Sequence, residues 1–218
     1  MLCGVSMPKI LSRSHAAKLL STSDYTSKGY TLKKSNNDYL ESIDMTITYD
    51  LLVKNESGCL TLTSDNNCIA NITFKIPEKF HLLDKCIQID SAFIQEEFRR
   101  LSIGPSAYLN LLDQYNIISD TEQTEAGVHL WRSKLARDTT IDLYVVKDFN
   151  TSTPVFIKDK KGNPVLYKYD RTGCNLLDPK TWGYEEPDPR MISNVISPEI
   201  NASMKDTRED VVLVATKR

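Results

Sequence analysis

Residues 86–107 read CIQIDSAFIQEEFRRLSIGPSA, and the order of residue types inside that stretch decides how the rest of the chain is read. Cys86 to Ile94 is apolar and branched enough for a strand. Alternation along it puts Asp90 on the face of Ala92 and Ile94. Gln95 to Arg100 is a charged connection, and a helix begins near Gly104-Pro105. Pro105 suits the first helical position, where its missing N–H is not needed. Tyr108, Leu111, Leu112 and Tyr115 recur at i, i+3, i+4 and i+7, which gives that helix one apolar face. Ile117-Ile118 follows as a short strand. A helix that crosses between strands 86–94 and 116–119 makes them parallel neighbours.

The junction between strand and helix carries the chemistry. A tight loop that delivers backbone N–H groups at a helix start suits a phosphate, and Arg99 and Arg100 beside it add charge-assisted donors. The plainer alternative is a solvated turn in which the arginines pair with Glu96 and Glu97 for little energy.

Working outward, Met45, Ile47, Tyr49, Leu51 and Val53 alternate with polar residues, and the pieces 58–63 and 69–76 read as two more strands around an Asp65-Asn66-Asn67 turn. Downstream, a helix over 123–136 carries Val128, Trp131 and Leu135 on one face, which reads as core. The segments 141–146, 154–158 and 165–169 read as strands, the last two as a hairpin around Gly162-Asn163-Pro164. This order implies an α+β fold of the α/β class, a mixed sheet with helices packed on it. Three regions follow: an N-terminal helix near 8–21 and a loose arm over 1–43, a core domain over 44–173, and a Pro-interrupted extension over 174–218. The extension ends in the apolar run Val211 to Val214, which can add an edge strand in its own chain or in a partner's sheet.

Arg99-x-x-Ser102-x-Gly104, between a strand and a helix, resembles the acyl-CoA pyrophosphate loop of the GNAT superfamily of N-acetyltransferases. The later run ISDTEQTEAGVHLWRSKLAR, from Ile118 to Arg137, is similar to a stretch of acetyltransferase-like proteins encoded by bacteriophages. The resemblance covers roughly residues 45–146. It implies a mostly antiparallel sheet splayed between strands 86–94 and 116–119, with acetyl-CoA in the gap. Arg99, Arg100, Ser102, Ile103, Gly104 and Ser106 would hold the pyrophosphate. Backbone groups of Ala92, Phe93 and Ile94 would hold the pantetheine arm. Asp90 or Glu96 would be the base, and His129 the acid. Two departures stand out. Ser102 replaces the family's first loop glycine, at a cost of roughly 1 kcal/mol if the loop needs a positive φ there. The helix over 123–136 also lacks the Tyr that many members use as acid.

Composition sets the outer limits. Lys and Arg number 27 and Asp and Glu 29, so the formal charge is 27 − 29 = −2, and no general pull toward nucleic acid follows. That total partly hides a cancellation, since residues 1–43 hold six basic and three acidic residues while 176–218 hold six and eight. No apolar run is long enough for a spanning helix. Residues 1–23 are basic and weakly amphipathic; a polar first helix explains them more simply than a targeting peptide. Cys3, Cys59, Cys68, Cys86 and Cys174 form no C-x-x-C pair, which fits a reducing cytoplasm rather than a disulfide framework. His15, His81 and His129 have no metal-ligand spacing, so no metal is expected. The sequons at Asn55, Asn71, Asn150 and Asn201 carry no weight without a signal peptide.

Two classes of function are therefore expected. One is an acyl-CoA-dependent N-acetyltransferase acting on a small-molecule or protein amine in the cytoplasm, the host's if the chain is phage-encoded. The other is a catalytically inactive relative of that fold, a virion component or a binder of a host protein through its terminal arms.

Overall fold

The computed structural model describes residues 19–78, 80–120, 125–168, 177 and 211–218. They divide into two units, one from the described residues among 14–78 and 85–117, the other from those among 80–84 and 118–218. The chain is mixed α+β, with mostly antiparallel strand pairing, one parallel pair and few helices.

The first unit begins with α1 (Thr22–Ser27). Its start is fixed by a capping box in which the Ser21 hydroxyl accepts from the Asp24 amide and the Asp24 carboxylate accepts from the Ser21 amide. Five strands then run in order: β1 (Thr31–Leu40), β2 (Met45–Lys54), β3 (Ser57–Ser64), β4 (Asn67–Lys75) and β5 (Cys86–Ile94). Each is antiparallel to the next. The turn between β3 and β4 has Asp65 at φ 49° and Asn66 at φ 65°, a left-handed pair that Asp and Asn tolerate better than most residues. After β5 comes α2 (Ile103–Leu112), then β6 (Asn116–Ile118) beside β5. The Asn116 amide donates to Lys85 O at 3.0 Å, so β5 and β6 start side by side, as the crossover helix requires.

Alternation on β2 divides the packing of this unit. Ile47, Tyr49 and Leu51 are buried on one face, and the Tyr49 hydroxyl meets Ser106 Oγ of α2 at 2.5 Å. Leu52 lies on the other face, where it packs with Cys59 of β3 and Tyr25 of α1. The expected face of α2 is the buried one: Tyr108, Leu111 and Leu112 are all enclosed, and Tyr115 stacks at a tilt on Phe74, centroids 5.8 Å apart. Each such fully buried side chain stabilises the fold by about 1.5–3 kcal/mol.

In the other unit, the helical stretch α3 (Glu125–His129) passes into a π turn over Leu130–Lys134 and a 3₁₀ turn over Leu135–Arg137. Val128, Trp131 and Leu135 are buried there, as their spacing predicts. β7 (Ile141–Lys147) pairs antiparallel with β8 (Val155–Phe156) and with β9 (Val212–Lys217). The expected hairpin around Gly162 is present: Val165 N donates to Ile157 O at 2.8 Å, and Gly162 sits at φ 86°. Asp159 closes the turn by accepting the Lys161 and Asn163 amides, and those bonds hold its carboxyl below the usual range.

Three sequence expectations change. Residues 22–43 are not a loose arm, because α1 and β1 lie there. β1 escapes a pattern reading because polar side chains occupy both its faces, as an edge strand allows. The run 211–214 forms a strand within its own chain, with Tyr144 opposite Val214. α2 starts at Ile103, so Pro105 is its third residue, still inside the first turn where no amide partner is needed. The helix expected over 8–21 lies outside the described residues up to residue 18; so do Thr121 to Thr124, Tyr169 and most of 174–210.

Candidate functional site

The geometry of the site starts from an irregularity in β5. Phe74 lies opposite Ile89 and Thr73 opposite Ser91, so Asp90 is an extra residue in the ladder. Such a bulge bends the strand and breaks its alternation. Cys86, Ile87, Gln88 and Ile89 before it are buried, whereas Asp90, Ser91 and Ala92 after it are all exposed. Simple alternation therefore stops at Asp90, an extra residue in the ladder, while Ala92 and Ile94, opposite Ile72 and Ala70, still share a face. β6 is three residues long and begins level with the start of β5, so the second half of β5 runs on beyond it.

That second half keeps its inner partner. Ala92 pairs with Ile72, Phe93 with Asn71 and Ile94 with Ala70 on β4. The Ser91 and Thr73 hydroxyls meet at 2.8 Å, and the Gln95 side chain donates to Cys68 O at 2.7 Å. These contacts fix the strand end from the β4 side.

The loop then folds back on the strand. Arg99 Nε donates to Ile94 O at 3.0 Å, and its guanidinium lies 5.9 Å from the Phe93 ring centroid. Phe93, Ile94 and Arg99, predicted separately as cofactor contacts, are thus one cluster. Arg100 at φ 67° and Ser102 at φ 63° are both left-handed, which for residues other than glycine costs about 1 kcal/mol each. The position where the acetyltransferase resemblance places a glycine does adopt a glycine-like conformation, and Ser102 is strained in it. Among the described residues, the amides of Leu101, Ser102, Ile103 and Gly104 have no hydrogen-bond partner. Ile103 and Gly104 open a ten-residue helix, Ser102 caps it and Leu101 precedes it, at the end where the dipole favours an anion.

The remaining candidates have other placements. Ser106 gives its amide to Ser102 O at 3.1 Å and its hydroxyl meets Tyr49, so it anchors the helix start to β2. Ile103 is buried and contributes only backbone to the loop. Asp90 and Glu96 are exposed carboxylates in this unit, the second in a 3₁₀ turn over Glu96–Phe98. His129, exposed at the end of α3, belongs to the other unit. Ser119, part of the stretch similar to phage proteins, is buried; its amide donates to Leu213 O and its Oγ accepts from the Leu213 amide. Tyr49 and Gln95 shape the site without any signal in the sequence, since their roles depend on partners distant along the chain.

Among the described residues, no group of three His, Cys, Asp or Glu is arranged to hold a metal ion, and no helix is long and apolar enough to cross a membrane. No protein-family model, curated protein or solved structure matches the chain.

Proposed function

We propose that the chain is an acyl-CoA-dependent N-acetyltransferase, with the loop from Arg99 to Gly104 as its pyrophosphate site and the open half of β5 as its pantetheine site. The observation that carries this reading is the bulge at Asp90, after which Ser91 and Ala92 are exposed, followed one loop later by a helix start with unpaired amides. An extended pantetheine arm needs strand-like backbone partners, and a pyrophosphate needs convergent N–H groups. Both are offered between Ser91 and Gly104. The acyl-CoA supplies the activated thioester. Asp90 or Glu96 takes the proton from the acceptor amine as its nitrogen bonds to the acyl carbon, and the departing thiolate takes a proton from solvent as the C–S bond breaks. Acceptor identity is left to the residues that surround this centre.

Two observations favour the second reading, a catalytically inactive relative of that fold that serves a virion or binds a host protein. Ser102 holds a left-handed conformation that glycine would adopt without strain, and the helix after β6 has no Tyr. Calorimetric titration with acetyl-CoA tests the site. Wild type binds, and Arg99→Ala combined with Gly104→Glu abolishes binding. No heat with roughly 1 mM cofactor sinks both the site and the enzyme reading. Binding without acetyl transfer to any amine tried leaves the second reading standing.

A further inference from the structure

We propose that β1 is a self-recognition edge, through which two copies of this chain pair antiparallel about a two-fold axis at Asn36. The inference is independent of the acyl-CoA reading. β1 ends the strand order, and its outer edge has no backbone partner among the described residues. Free edges are usually kept short, yet this one runs for ten residues. It also carries Leu32 at 45% exposure and Tyr39 at 53%, two of the most exposed large apolar side chains described.

The sequence of the strand matches itself in reverse. Pairing about Asn36 sets Ser35 against Asn37 of the second copy and Lys34 against its Asp38. Lys34 lies opposite Leu51 and Asp38 opposite Ile47 on β2, so both project from one face, as a cross-strand ion pair requires. Neither has an ion-pair partner among the described residues. Leu32 lies opposite Leu52 and Tyr39 opposite Thr46, which puts both on the other face at opposite ends of the strand. They share that face because Lys33 is an extra residue in the ladder. Antiparallel self-pairing brings Tyr39 of each copy beside Leu32 and Lys33 of the other. Lysines that merely guard an edge repel a second copy; here each end carries the sign that the opposite end needs. The occupant that fits is therefore this chain itself.

Sedimentation equilibrium on the full chain tests the pairing. Wild type shows a concentration-dependent dimer. Lys34→Glu and Asp38→Lys, each alone, weaken it by about tenfold or more, since each turns two attractive pairs into repulsive ones. Mixing the two single variants restores a dimer, because Glu at position 34 of one then meets Lys at position 38 of the other and the native pair remains. The double variant Lys34→Glu/Asp38→Lys dimerises like wild type. A wild type that stays monomeric up to roughly 1 mM, or a dimer indifferent to both single changes, overturns the proposal.

Discussion

The two halves of β5 share one strand, one neighbour and one hydrogen-bonding ladder, yet they live in different environments. Cys86 to Ile89 are enclosed, with Ile87 and Ile89 packed into the core. Asp90 to Ala92 face solvent. One inserted residue separates them. The first half is specified by what it packs against, and its side chains tolerate little change. The second half is held by its β4 partner and by Arg99, and Asp90, Ser91 and Ala92 stay exposed there.

The largest effects should fall on the enclosed side. Ile89→Ala removes side-chain volume from a packed position and should cost about 2–5 kcal/mol in denaturant unfolding. Gly58→Ala should be at least as damaging. Gly58 faces Phe74 across the β3–β4 ladder, and an added Cβ would run into the Phe74 ring and come 2.9 Å from Leu52 O. Its sensitivity would show that the residue opposite Ile89 has no room to move. A loss below about 1 kcal/mol for both would mean that the packed half is looser than described.

Next comes an alkaline effect in the packed part of the same unit. Burial pushes the Cys59 thiol up from 9.0 to about 12, although its bond with the Tyr25 hydroxyl works in the opposite direction. Burial raises Tyr25 as well, with Cys59 adding to it. The folded chain therefore keeps these protons where the unfolded chain releases them. The stability they confer is complete below pH 9.0 and is lost as the pH rises toward about 12. Denaturant midpoints measured from about pH 8 to pH 11 should fall, and Cys59→Ala should flatten the fall. A midpoint that does not move with pH contradicts the enclosed setting of Cys59.

Smaller effects belong to the open side. Ser102→Gly relieves a left-handed serine at φ 63° and should raise stability by a few tenths to about 1 kcal/mol without weakening CoA binding. A loss of stability there would show that the Ser102 side chain, and not the conformation, matters. Ala92→Ser should change stability by less than about 0.5 kcal/mol. A loss as large as that of Ile89→Ala would erase the distinction between the halves.

Much of this architecture is legible in the sequence because its cause is local. Alternation gives β2, turn chemistry places the Asp65-Asn66 reversal, and the spacing of Tyr108, Leu111 and Leu112 gives the buried face of α2. The β5 boundaries follow from composition alone. What stays hidden depends on partners far along the chain. Nothing between Cys86 and Ile94 marks Asp90 as a bulge, because the extra residue is defined only against β4. β1 is hidden because an edge strand needs no apolar face, although the Ser21–Asp24 capping box ahead of it was readable. Of the site, the Arg99 to Gly104 loop is visible as a pattern. The Arg99 contact with Ile94 and Phe93, and the anchoring of Ser106 by Tyr49, are products of folding.

The open half of β5 and the helix start beyond it are proposed to form one ligand site. Backbone amide shifts recorded by NMR during titration with CoA test it most directly. The largest changes are expected at Ser91 to Ile94 and at Leu101 to Gly104, with Cys86 to Ile89 almost unmoved. Saturating CoA that leaves both segments unchanged, or that shifts the enclosed half instead, would contradict it.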